Sequence, residues 1–169
     1  MKLFIAKIQV HSMKVFFLSL IIILTLSACA INYSKPKQHQ FSKETIIPKS
    51  YDEVWNKTVE WFANNGTPIK NLDKNSGFIA TEYSLKINEQ YLDCGDCKGN
   101  AALDNPVGSL NVIFRQDDNN TKVTINAFFK SGMKITNSWG GCFGLPIGEI
   151  INCESTGLLE KTIMDYLSK

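Results

Sequence analysis

A chain of 169 residues, 44% of them hydrophobic and 20% charged, is long and apolar enough for one domain with its own core. Its formal net charge of +2 owes everything to Lys2, Lys7 and Lys14, because residues 29–169 hold fifteen basic and sixteen acidic side chains, a net charge of −1. Arg115 is the single arginine and no basic cluster occurs, so nucleic acid is excluded as an expected partner.

The chain opens on those three lysines, and no acidic residue precedes Glu44. An apolar run from Val15 through Leu26 follows. At twelve residues it is shorter than the ~20 needed to span a membrane, and it falls within the roughly 7–15 of a signal peptide. Small residues Ser27 and Ala28 then lead to Cys29. Leu26-Ser27-Ala28-Cys29 resembles the lipobox of bacterial lipoproteins. That resemblance implies a signal peptide over residues 1–28, cleavage before Cys29, and a diacylglyceryl group on its thiol, the nucleophile such a transfer needs. One acyl chain binds a membrane marginally while two or more anchor stably. Ala30 stands where lipoproteins retained in an inner membrane can carry aspartate, so the family rule implies the outer membrane, facing the periplasm. The competing readings are an ordinary secretory signal and an uncleaved anchor. Met13 begins a complete signal by itself and is an alternative start.

Residues 29–40 are polar, contain Pro36 and lack a pattern, which predicts a lipidated cysteine and a flexible tether. A single domain is expected over 41–169. Residues 41–47 predict a strand stopped by Pro48. Ser50-Tyr51-Asp52-Glu53 is a capping box, with Val54, Trp55, Thr58, Val59 and Phe62 at helical spacing behind it and Gly66 past the last turn. Residues 67–72 and 78–85 are expected to be extended around the Asp73-Lys74-Asn75-Ser76-Gly77 turn. Residues 86–106 predict a loop. Leu110, Val112 and Phe114, then Val123, Ile125, Ala127 and Phe129, alternate about Asp117-Asp118-Asn119-Asn120 and predict an antiparallel hairpin. A short strand is expected at 135–139, then a final helix capped by Ser155 with Leu159, Ile163, Tyr166 and Leu167 along one face and Leu158 beside them. This order predicts an α+β fold, an antiparallel sheet with two helices packed on one face. Asp52-Glu53-Val54-Trp55, Pro68-Ile69 and the turn leading to Phe78-Ile79 resemble BamC-like helix-grip domains of envelope lipoproteins. The resemblance implies that architecture and carries no functional residue.

With Cys29 lipidated, Cys94, Cys97, Cys142 and Cys153 remain, an even number that reads as two disulfides in an exported domain. Local closure favours Cys94 with Cys97 and Cys142 with Cys153, while the crossed pairings stay open. Cys94 and Cys97 are also the candidate pair for a thiol–disulfide enzyme. Against that stand Asp93 and Asp96, which would raise the thiol pKa, and a poor helix start after Cys97. A four-thiolate zinc site is disfavoured by its C-x10-C spacing and oxidising surroundings. Both histidines, His11 and His39, precede the domain, so histidine-based catalysis or metal binding is not expected. Glu82, Glu89, Asp93 and Asp96 read as solvated loop charges rather than a glycosidase pair. The glycines at 140, 141, 144 and 148 lack the GK[ST] of a phosphate loop.

One candidate site remains, the glycine-rich loop with Trp139, Phe143, Leu145 and Ile147, as a docking surface or as cover for one end of the sheet. The expectation is a lipid-anchored, non-catalytic binding or accessory module without a cofactor or metal. Its partners would be the membrane and another envelope component, in assembly or maintenance.

Overall fold

A computed structural model describes residues 31–136 and 142–169. Its spine is a long antiparallel hairpin of β7 (Ala101–Asp117) and β8 (Asn120–Ile135), turned by Asp118 at φ 51° and Asn119. On the β7 side lie β4 (Phe78–Thr81), β3 (Ile69–Asp73) and the short β5 (Leu85–Lys86). On the β8 side, β2 (Glu44–Ile47) pairs with residues 121–124, and β10 (Ile151–Ser155) pairs farther along with 129–131. β6 (Leu92–Asp93) closes that edge against β10.

Alternation sets the two faces. Leu110, Val112 and Phe114 of β7 lie opposite Ala127, Ile125 and Val123 of β8, and all but the half-buried Ala127 are at most 1% exposed. Over this face pack α1 (Tyr51–Asn64) and α2 (Leu158–Ser168). The fold is therefore α+β, an antiparallel sheet with two helices, as the pattern of apolar residues requires. The Glu53 amide donates to Ser50 Oγ, so half of the capping box forms, while the Glu53 carboxylate sits 3.3 Å from Lys49 Nζ. Val54, Trp55, Trp61 and Phe62 are buried, and the Trp55 ring lies 5.1 Å from that of Phe114. Gly66, at φ 60°, ends the helix as expected.

The start of α2 differs from the reading that Ser155 caps it directly. Gly157 is the cap, at φ 82°, where a Cβ would strike the Phe41 ring. Ser155 Oγ acts one step upstream, accepting from the Gly157 amide and donating to Glu160 Oε2 at 2.9 Å. Glu160 is fully buried, and its Oε1 has no hydrogen-bond partner among the described residues.

Two further expectations change. Residues 101–106 are strand rather than loop, because they pair with β8 through 135. The Asn105-Pro106 step is absorbed as a bulge between the Asp104–Gly132 and Val107–Lys130 pairs, a position where a missing N–H is tolerated. The strand expected at 135–139 is, at its described start, simply the end of β8.

Candidate functional site

The cysteines gather about the bulge, with Cys153 beside Phe129 of β8 just short of it and Cys97 and Cys142 packed with Met133 beyond it. β6 and β10 run antiparallel with Asp93 opposite Glu154, which sets Cys94 directly across from Cys153. Their Cα atoms are 4.4 Å apart, the separation of a close cross-strand pair, and the two sulfurs are joined. The chain turns at Gly95 and brings Cys97 to Cys142, with Cα atoms 6.1 Å apart. All four cysteines form disulfides, but the pairing is Cys94–Cys153 and Cys97–Cys142, not the local one. Strand register decides it: continuing the antiparallel pairing of β6 and β10 sets Cys94 and Cys153 directly opposite, where side chains share one face and can meet. With every one of these sulfurs in a disulfide, no thiolate is left for zinc, and no cluster of three His, Cys, Asp or Glu among the described residues could hold a metal.

Cys97, Cys142, Met133 and Leu145 form a small second core, with Tyr33, Ala101 and Leu103 packed against it. Tyr33 belongs to the segment expected to be a flexible tether. From Ile31 to His39 that segment is instead fastened to the domain. β1 (Ile31–Asn32) pairs in parallel with β9 (Cys142–Phe143), and the Tyr33 amide donates to the Phe143 carbonyl at 3.0 Å. Ser34 and Asp96 exchange backbone hydrogen bonds of 2.9 and 3.0 Å. The Tyr33 hydroxyl donates to the Cys94 carbonyl at 2.6 Å. Burial, helped by the Asp93 charge, raises the Tyr33 pKa and keeps that donor protonated.

Asp93 anchors the rest of this strap. Its Oδ1 accepts from the Gly95 amide at 2.8 Å, and its Oδ2 accepts from the Lys37 amide and lies 3.2 Å from His39 Nε2. Burial works to raise the Asp93 pKa, but the hydrogen bonds from Gly95 and Lys37 and the contact with His39 outweigh it and hold the carboxyl below its usual value. Gly95 is needed here on two counts. Its φ is 85°, and a Cβ would collide with the Ser34 carbonyl and the Tyr33 ring. Glu89, Asp93 and Asp96 line a shallow cavity of about 490 Å³ beside the strap, and Glu82 lines a separate hollow on the outer sheet face with Tyr83 and Phe128.

The candidate docking residues divide. Leu145 is buried in the small core. Phe143 is 79% exposed and Ile147 57%. Ile150, which the sequence reading passed over, is 77% exposed in the same loop. The bridge that restrains the loop is Cys97–Cys142, assisted by β1, in place of the expected Cys142–Cys153. Cys29 and Trp139 lie outside the described residues.

Tyr33, Ser34 and Asp93 were missed as a group. The available signals were an aromatic residue within a polar segment and the Asp93-Cys94-Gly95 sequence, which suits an aspartate turn. No family model matches the chain, and no curated protein matches it in sequence.

Proposed function

We propose that this protein is a lipid-anchored envelope protein, held through Cys29 at the outer membrane and facing the periplasm, that serves as a non-catalytic binding or accessory module in envelope assembly or maintenance. The observation that carries the reading is the lipobox ending at Cys29, two residues before a segment fastened to the folded domain. A free tether would let the domain wander from its anchor, whereas this one fixes which end of the domain lies beside it. That end presents Phe143, Ile147 and Ile150, and exposed apolar side chains on a cross-linked loop lose little freedom on binding. The disulfides agree with an oxidising compartment. Thiol–disulfide exchange through Cys94 and Cys97 has weaker support, since the two are 3% and 1% exposed and joined to different partners.

Replacing Cys29 by Ser is expected to leave an unprocessed precursor, and the intact mass of the native mature protein should include acyl chains. An unmodified Cys29 in that mass would overturn the anchor. Crosslinking in intact cells, followed by identification of the adducts, tests for an envelope partner.

A further inference from the structure

The register of the parallel pair says where the anchor leaves the domain. Ile31 lies opposite Cys142 and Asn32 opposite Phe143. Two residues upstream of Ile31 is Cys29. Consecutive Cα atoms are ~3.8 Å apart and paired strands ~4.8 Å, so the Cys29 Cα lies within ~16 Å of the Phe143 Cα whatever course the two intervening links take. An acyl group on Cys29 must enter the hydrocarbon core, and the interfacial layer above it is only ~5–8 Å thick. The loop beginning at Cys142 is therefore held close to the lipid surface.

We infer that this loop rests in the surface of the anchoring bilayer itself, with Phe143, Ile147 and Ile150 inserted at the boundary between headgroups and acyl chains. The inference rests on the reading of Cys29 as lipidated. Three observations favour lipid over a protein as the occupant. The chain leading to the anchor is hydrogen-bonded to this very loop, and only Ala30 separates Cys29 from β1 in the sequence. The loop's exposed side chains are apolar at three places, and Glu149 is the one charged residue between Cys142 and Cys153. The Cys97–Cys142 bridge and the buried Leu145 hold the loop rigidly from beneath, so its apolar side chains stay outward rather than folding back. Among the described residues no helix is long and apolar enough to cross a membrane. The bilayer would then fix the domain's orientation, with the hairpin's far turn at Asp118 pointing away from it.

The experiment uses the full mature chain, with p-benzoylphenylalanine placed singly at position 143, 147 or 150 and, as a control, at 46. Ile46 is 57% exposed and pairs with Lys122, ~35 Å along β8 from Met133. Each chain is reconstituted in vesicles of phosphatidylethanolamine and phosphatidylglycerol, irradiated, and weighed intact. The expected result is lipid adducts at 143, 147 and 150 in at least five-fold higher yield than at 46. Lipid yields at the loop no higher than at 46, on a chain whose mass shows an acylated Cys29, would overturn the inference and leave the anchor standing. An unacylated Cys29 in the same spectrum would overturn both. Adducts from these positions to protein rather than lipid, on irradiation in cells, would assign the loop to a partner and likewise overturn it.

Discussion

Along β7 and β8 the packing changes at the Asn105-Pro106 bulge. On the side nearer the Asp118 turn, twenty buried hydrophobic residues from sheet and helices share one cluster, and Phe62, Phe114 and Phe129 fill it. On the other side the cluster of buried side chains among the described residues is small, Cys97, Met133, Cys142 and Leu145. There the chain relies on a disulfide, a two-residue parallel ladder and the hydrogen bonds of Asp93. The contrast teaches that a short exposed extension can be kept ordered by covalent and polar ties where no helix covers it. Such ties depend on redox state and pH, and the main core shares the redox dependence through the Cys94–Cys153 bridge within it.

The disulfides give the sharpest way to break that comparison. They separate their partners by 59 and 45 residues, and closing loops of that size stabilises a fold by ~2–4 kcal/mol. Cys94 and Cys153 belong to the main core and Cys97 and Cys142 to the small one. Cys94→Ser with Cys153→Ser should therefore lower the denaturant midpoint of fluorescence from the buried Trp55 and Trp61 by more than Cys97→Ser with Cys142→Ser. Equal shifts would mean that both ends unfold as one unit. Non-reducing peptide mapping should recover the same two pairs, and a Cys94–Cys97 peptide would refute the register of β6 on β10.

How far the sequence could be read follows from the same division. Ser50, Glu53 and the apolar spacing to Phe62 act within a few turns of one helix, so α1 was legible almost to the residue. The central hairpin was legible because Leu110 to Phe114 and Val123 to Phe129 alternate strictly. Residues 101–106 carry no such alternation and include Asn-Pro, and Ala101–Asp104 are extended because β8 offers a partner past the bulge, where Asn105 turns to φ 52°. The disulfide pairing was beyond local reasoning, since Cys94 faces Cys153 through a register between strands roughly sixty residues apart. The strap gave still less warning, because its hold is hydrogen bonding by backbone and Asp93, and polar segments lack a hydrophobic period. In the candidate loop, apolar composition identified the region but could not separate Leu145, turned inward, from Phe143, turned out.

That separation supplies a smaller effect. Leu145→Ala removes a buried side chain from a core with few others, and about 2 kcal/mol should be lost, the lower end for leucine truncation. Phe143→Ala should change stability by no more than ~0.5 kcal/mol, as exposed positions do. Thermal melts of the two variants check this. A large loss from Phe143→Ala would place that ring in a core and remove it from any contact with lipid or partner.

The smallest effect concerns Asp93, and it bears on the strap rather than on global stability. Its hydrogen bonds from the Gly95 and Lys37 amides and its contact with His39 favour the ionised form, so its pKa in the folded state lies below the unfolded value. The ionised carboxylate thus stabilises the fastened strap fully above the ordinary carboxylate range, and that contribution is lost as pH falls through the folded value. Acid should release residues 37–39 first, while Tyr33 keeps its hydrogen bond to Cys94, because a phenol remains protonated there. Amide exchange at Lys37 and Gly95, followed by NMR, should quicken as pH drops through the carboxylate range once intrinsic exchange is corrected for, with amides of β8 unchanged. Asp93→Asn should show the quickened exchange already at neutral pH and no further acid step, because the amide oxygen can still accept one bond but carries no charge. If the variant keeps the acid step, another carboxylate governs the strap, and the nearest candidate is Asp96, whose backbone already pairs with Ser34.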